Sequence, residues 1–459
     1  MNRPWIALRW MGGMLLLCGL LSAAAAAPTN SLSWDRQRMA LTAEIHEAPL
    51  PVFLSKFARV TGWLVFMDPT ASLPVSAKFK QQPVGEAMRR MFGNLSFALT
   101  PPSHKDEPYK LYVFKNSVRD ATQQVAPEVD KTAKPIPDEL VVRLKPGTDA
   151  EALAKSLGAK IIGRMDGKNA YRLKFDSESA ANAARSALQG NAAVTSLDSN
   201  YYMDRPRGFD SSMAGSTPDI QLTAKPLGSG SGVVVGLIDT TVQRTKAPTD
   251  AFLLPSISVA GDANPNGTEP THGTGMESAI LQGMNAIYKS GSSSVRILPV
   301  DVYGNNVSTT TFDVAMGIEQ AINSGANVIN LSLAGNGDNA LLHSVITQAY
   351  NKGILVIAAA GNDGNPTPSY PAAYPEVLAI TAGDKNGNIA TFANYGGNVS
   401  LVGPPSVIVS YGGQSFIMTG TSTSSAFTAG LAAALADKTK KNSVDIRALL
   451  NQLLPSPKK

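Results

Sequence analysis

The sequence predicts an α/β fold, a doubly wound and mainly parallel sheet, preceded by two small α+β domains. Three observations predict it. From about residue 220, short Val/Ile/Ala-rich runs at 233–238, 294–300, 328–333, 354–359 and 377–381 alternate with helical patterns at 275–284, 311–324 and 339–352. Near-continuous apolar strands separated by helices require a sheet covered on both faces. Two earlier stretches carry strands and helices in the order β-α-β-β-α-β-β, at 36–116, and β-α-β-β-α-β, at 138–205. The 459 residues are too many for one small domain, and 43% hydrophobic content suffices for real cores.

At the start of the chain, Arg3 and Arg9, an apolar stretch at 11–21, Ser22 and the alanines at 23–27 read as a secretory signal peptide over 1–27. Its apolar part is shorter than the ~20 residues of a spanning helix, and no later segment reads as transmembrane. The chain is therefore expected to be exported, periplasmic or extracellular. The single cysteine, Cys18, lies in the signal, so the processed chain is expected to hold no disulfide. In 36–116, strands are expected at 41–45, 63–67, 75–79, 95–99 and 111–114, with helices at 52–60 and 84–92. Residues 117–137, rich in Gln, Thr, Lys, Pro and Asp without apolar periodicity, read as a linker. In 138–205, strands at 139–144, 159–164, 170–175 and 194–197 alternate with helices at 149–157 and 177–188, the ferredoxin-like order. Residues 205–218 read as exposed and cleavable. The last unit spans 219–456.

Charge excludes one class of function. The net charge is +5, but residues 217–459 carry 13 Lys+Arg against 15 Asp+Glu, with no basic stripe. Nucleic-acid binding is not expected.

Four residues carry the chemistry. Asp239 closes the 233–238 strand, where α/β sheets place their sites. His272 stands in Thr271-His272-Gly273-Thr274 ahead of a helix, and His343, on a helical run, is the other imidazole of the region. Asn362 follows a buried strand, and its amide can donate to an oxyanion while the small Gly361 lets substrate approach. Ser422 lies in Gly420-Thr421-Ser422-Thr423-Ser424, at the start of an apolar helix. Ser424 occupies the last position of a Gly-x-Ser-x-Gly elbow, and the order Asp, His, Asn, Ser differs from that of α/β-hydrolases. Gly228, Gly230 and Gly232 precede their strand instead of following it, so a dinucleotide loop is excluded. Asp262, Asn264 and Asn266 copy the opening of a calcium loop, but Gly273 stands where its twelfth, acidic residue belongs. No metal or cofactor is assigned.

The segments Gly236-Leu237-Ile238-Asp239-Thr240, His272-Gly273-Thr274, Asn330-Leu331-Ser332-Leu333-Ala334-Gly335, Ala360-Gly361-Asn362 and Gly420-Thr421-Ser422 resemble the signature blocks of subtilases. The resemblance implies a subtilisin-like serine endopeptidase acting on proteins or peptides. Asp239 would orient the imidazole, His272 would take the Ser422 proton, and Asn362 with the Ser422 N–H would hold the oxyanion. Ser332, Leu333, Ala334 and Gly335 would pair with extended substrate. Residues 138–205, ending Leu197-Asp198-Ser199-Asn200-Tyr201-Tyr202, look like the family's propeptide, which implies a zymogen whose own propeptide is an inhibitor laid through the site. Residues 36–116 resemble the short N-terminal domain of secretins and TonB-dependent receptors, which implies docking to an envelope partner. Two departures are evident: Thr241 stands where the family usually has Gly, and Ser424-Ser425-Ala426 replaces its small residue and Pro. The competing reading is an inactive scaffold serving as an envelope-binding protein.

Overall fold

The computed structural model describes residues 31–35, 38–102, 108–125, 133, 135–206, 209, 211–213, 220–226, 232–265 and 267–458. The expected signal peptide lies outside them. The chain forms two compact units, divided between Asp130 and Lys131.

In the first unit the strands are β1 (Ser31–Asp35), β2 (Ala40–Pro49), β3 (Leu64–Met67), β4 (Pro74–Pro83), β5 (Ser96–Thr100), β6 (Lys110–Phe114) and β7 (Gln123–Val125). They form two sheets, β1-β2-β4 and β5-β6-β3-β7. Helix α1 (Leu50–Thr61) and helix α2 (Val84–Phe92) each follow a proline, Pro49 and Pro83, whose fixed φ directs the chain into the first turn. Each ends at a glycine with positive φ, Gly62 and Gly93. Their apolar faces, Phe53, Leu54 and Phe57 with Met88, Met91 and Phe92, fill the core. The linker expectation for 117–137 needs correction. Gln123–Val125 is a strand, pairing antiparallel with β3 so that Val125 faces Val65. Its single apolar residue gave no period to read, yet one buried valine on an edge strand is enough to hold the register.

The second unit opens with β8 (Glu139–Leu144), α3 (Ala150–Ser156), β9 (Lys160–Met165), β10 (Ala170–Lys174), α4 (Glu178–Leu188) and β11 (Val194–Asp198). The antiparallel order is β11-β8-β10-β9. Asp149 and Ser177 cap the two helices, accepting N–H bonds at 3.0 and 3.2 Å. One sheet face buries Leu140, Val142 and Leu173 under these helices. The other face, with Val141, Met165 and Ala170, joins the core of the large domain. The regions expected as separate domains, 138–205 and 219–456, therefore share a core within one unit.

The chain continues through β12 (Tyr202–Asp204), β13 (Ser211–Met213) and β14 (Leu222–Ala224) into β15 (Val234–Asp239). Then come β16 (Ile257–Ser258), α5 (His272–Tyr288), β17 (Gly291–Ser293), β18 (Arg296–Asp301), β19 (Ser308–Thr310), α6 (Thr311–Asn323), β20 (Val328–Leu331) and α7 (Ala340–Asn351). Last are β21 (Leu355–Ala359), β22 (Leu378–Ala382), β23 (Leu401–Gly403), the hairpin of β24 (Ser406–Tyr411) and β25 (Gln414–Thr419), α8 (Thr421–Thr439) and α9 (Ser443–Leu453). A seven-stranded sheet runs β16-β18-β15-β20-β21-β22-β23, parallel throughout. Helices α6 and α7 cover one face over Ile238, Ile329 and Val356. Helices α5, α8 and α9 cover the other over Leu237, Val328 and Ile357. This is the expected doubly wound α/β fold.

Candidate active site

Strand β15 lies inside the sheet between β18 and β20, and Asp239 closes it at 1% exposure. Its carboxylate accepts the Thr240 N–H at 2.7 Å and faces His272 Nδ1 at 2.8 and 3.0 Å. A ring nitrogen between two carboxylate oxygens carries the proton, which leaves Nε2 as the acceptor. His272 is the first residue of α5, and the two threonines after Asp239 fix it there. Thr240 Oγ1 accepts the Gly273 N–H at 2.8 Å, and the Thr241 carbonyl accepts the hydroxyl of the cap Thr271 at 2.6 Å. A side chain at Gly273 would meet the Thr240 carbonyl at 2.1 Å. Thr241 contributes through its backbone, so its departure from the family pattern leaves this anchor intact.

Ser422 is the second residue of α8, behind Gly420 as cap residue. It is buried, and its hydroxyl donates to the Ser332 carbonyl at 3.2 Å. Among the described residues, no hydrogen bond joins Ser422 to His272. The turn below is held by a buried chain of side chains. Ser425 donates to Asn330, Asn330 donates to Ser332 Oγ, and Ser332 donates to the Ser422 carbonyl, at 2.7, 2.9 and 2.9 Å. Ser424 donates to the Pro404 carbonyl at 2.8 Å. The second departure thus supplies two hydroxyls, both satisfied.

Asn362 follows Gly361, whose φ of 107° and contact with Asn394 exclude a side chain. Asn362 Oδ1 accepts both the N–H and the hydroxyl of Thr421, at 2.8 and 3.0 Å. Those donors commit the oxygen, so the N–H₂ faces the opposite way, 3.1 Å from where a Gly420 side chain would begin. Thr421 Oγ1 also accepts the Gly361 N–H at 3.1 Å.

The segment expected to pair with substrate, Ser332 to Gly335, directly follows β20. Ser332 is buried in the chain of hydroxyls, and Leu333 is buried as well. Gly335 exchanges both backbone bonds with Tyr370, at 2.8 and 2.7 Å. Ala334 stays half-exposed between them. Strand β19 pairs antiparallel with β12 from the propeptide-like region. Met203, 1% exposed, packs on Gly335, and the Tyr201 ring covers Gly337.

His343 stacks on Tyr374 and faces Glu376 at 3.1 Å, a packing role. The calcium-like loop is tied by backbone to Asn305. Among the described residues, no three His, Cys, Asp or Glu side chains are grouped to hold a metal ion.

The Subtilase family profile matches residues 230–453 and the Fervidolysin N-terminal prodomain profile residues 121–196. A thermophilic serine proteinase of Bacillus sp. strain AK1 is 32% identical over 329 residues, covering 68% of this chain and 81% of that protein. The chain belongs to the subtilase family. Thermitase of Thermoactinomyces vulgaris is 35% identical over 229 residues, covering 49% of this chain and 81% of thermitase. The structure of fervidolysin from Fervidobacterium pennivorans, a keratinolytic enzyme related to subtilisin, matches with a TM-score of 0.55 at 16% identity. That match covers 70% of this chain and 57% of fervidolysin, and it shows the fold. This subtilase is accordingly a hydrolase of the serine protease class with a prodomain.

Two sets of functional residues escaped the sequence. Thr240 and Thr421 sit inside motifs already singled out, so a hydrogen-bond census of those motifs could have found them. The polar strand Ser308-Thr309-Thr310 carries no readable signal. The subtilase helices α5 and α8, which present His272 and Ser422, touch through glycines. A methyl at Gly283 would lie 2.1 Å from the Phe427 carbonyl oxygen, and one at Gly430 would lie 2.0 Å from that of Ile280.

Proposed function

We propose that the protein is an exported serine endopeptidase, made as a self-processing zymogen, whose chemistry runs through Asp239, His272 and Ser422. The observation that carries this reading is the buried Asp239–His272 pair at 2.8 Å, on strand and helix ends adjoining the N-terminus that bears Ser422. Ser422 Oγ gives its proton to His272 Nε2 and attacks a peptide carbonyl. Asp239 stabilises the imidazolium without taking the proton. The tetrahedral oxyanion is held by the Asn362 N–H₂ and the Ser422 N–H. His272 then protonates the leaving amine, and water releases the acyl group by the same route.

Residues 138–205 act in this proposal as intramolecular inhibitor, with Tyr201 and Met203 against Gly337 and Gly335. The test is intact mass and N-terminal sequencing of wild-type precursor beside Ser422→Ala. A cut between about Tyr202 and Pro218 that the variant lacks supports the reading. Two full-length proteins, neither labelled by a fluorophosphonate, would favour the inactive scaffold. Identical cutting in both would assign it to another protease.

For the first unit, the proposal is a docking module like the short N-terminal domain of secretins and TonB-dependent receptors. It is supported by the order of its strands and helices and serves an envelope partner. Failure of residues 31–130 to retain any envelope protein in affinity capture would remove it.

A further inference from the structure

The chain is strand-paired both before Arg205 and after Phe209. Upstream, β12 pairs with β19, and the Arg205 N–H continues the ladder to the Val307 carbonyl at 3.1 Å. The Arg205 guanidinium donates to the Gly304 and Asn306 carbonyls at 3.0 and 2.8 Å. Downstream, β13 adds an antiparallel strand to β25, with Ser211 opposite Ile417. The Phe209 ring meets the buried Phe416 ring edge-on, with centroids 4.8 Å apart. Strand β25 ends at Thr419, directly before Gly420-Thr421-Ser422. The chain runs from β19 to β25, so residues up to Arg205 lie on the acyl side of a bond cut here. Phe209 and β13 lie on the leaving-group side.

We propose that Phe209 and the Ser211–Met213 strand are a built-in occupant of the leaving-group side, which stays after the first cut and selects against substrates that extend beyond the scissile bond. The inference rests on the peptidase reading above. A cut between Arg205 and Phe209 breaks the covalent link of the upstream half to everything downstream. The downstream half keeps its ladder to β25, its aromatic contact and a covalent tether to β14, which is itself paired with β17. A tethered segment competes at an effective concentration on the order of millimolar. A substrate residue placed after the scissile bond must displace it from β25. A substrate with only acyl-side residues meets no competition.

The experiment compares processed wild type with processed Phe209→Ala on two substrates. One is a peptidyl p-nitroanilide; the other is an internally quenched peptide with the same acyl-side residues and four more beyond the cut. The expected result is an increase of about 3- to 10-fold in kcat/KM for the quenched peptide in the variant, carried by KM, as an edge-to-face aromatic pair warrants. The p-nitroanilide rate stays unchanged and reports that the variant folds; Phe209→Lys is the second variant should Phe209→Ala fail that control. An unmoved ratio with the segment still attached by mass would overturn the proposal. So would a mature N-terminus beyond Met213. If wild type cleaves neither substrate, the peptidase reading fails first and this one falls with it.

Discussion

At the scale of single residues, the geometry of the site depends on groups buried behind the candidate catalytic side chains. Thr421 is the clearest. Its N–H and hydroxyl both bind Asn362 Oδ1, and this pair of bonds sets which way that amide points. Thr421→Val keeps the shape and the N–H but removes one donor to Asn362 and the acceptor for Gly361. We expect kcat to fall between about 10- and 100-fold with KM little changed, since a donor misplaced by less than an ångström affects the charged state most. Steady-state kinetics on a p-nitroanilide decide it, and Thr421→Ser should recover most of the loss. A KM effect of the same size would make Thr421 a substrate-binding residue instead.

At the scale of elements, the propeptide-like sheet is fastened to α6 by more than apolar contact. Arg172 on β10 bonds Glu139 at 2.8 Å and reaches Asp313, in the first turn of α6, at 3.2 Å. The side chain of Asn200, fully buried, accepts the Phe312 N–H and the Thr311 hydroxyl and donates to Glu139. Burial alone would lower the Arg172 pKa; its bond to Glu139 and the charge of Asp313 push it up instead. Burial also pushes the Asp313 carboxyl up, against the pull of Arg172. Arg172→Ala leaves the buried Glu139 and the half-buried Asp313 without their main counter-charge, and about 3 kcal/mol of stability should be lost. Urea unfolding of the precursor, with Ser422→Ala to prevent autolysis, measures it. A change under about 0.5 kcal/mol would show the cluster to be solvated. Legibility of the fold divides at this same scale. The strands 233–238, 328–333 and 354–359 were readable because burial on both faces writes continuous Val/Ile runs. Strands β7, β13 and β19 were not, because short polar strands are held by partners distant in sequence. The catalytic candidates were legible as motifs, whereas the occupied backbone of Gly335 depends on Tyr370, which no local pattern announces.

At the scale of the whole molecule, one buried group ties stability to pH. Glu277 on α5 is buried, and among the described residues its Oε1 has no hydrogen-bond partner. Burial, with Asp250 adding to it, pushes its carboxyl up to about 8 from 4.5. The folded state therefore holds a proton that the unfolded state releases between these values. Stability from this group is complete below about pH 4.5 and is lost as pH rises towards 8, by on the order of 5 kcal/mol. Glu277→Gln mimics the protonated form and should remove that slope. Thermal unfolding in the Ser422→Ala background should show the variant several degrees more stable at pH 9 and level with its parent at pH 5. Parallel curves across that range would refute the assignment.

The glycine contacts between α5 and α8 give the site a remote weak point. Gly283 lies eleven residues beyond His272 and Gly430 eight beyond Ser422, roughly 16 and 12 Å along their helices. In an ordinary apolar helix, replacing Gly by Ala helps the helix by about 1 kcal/mol. Here the added methyl would act as a wedge between two rods whose tips carry the imidazole and the hydroxyl. A change that improves each helix on its own would spread the tips apart, so these buried backbones work as the hinge pin of a pair of tweezers, and their tolerance for drift is set by the chemistry at the far end.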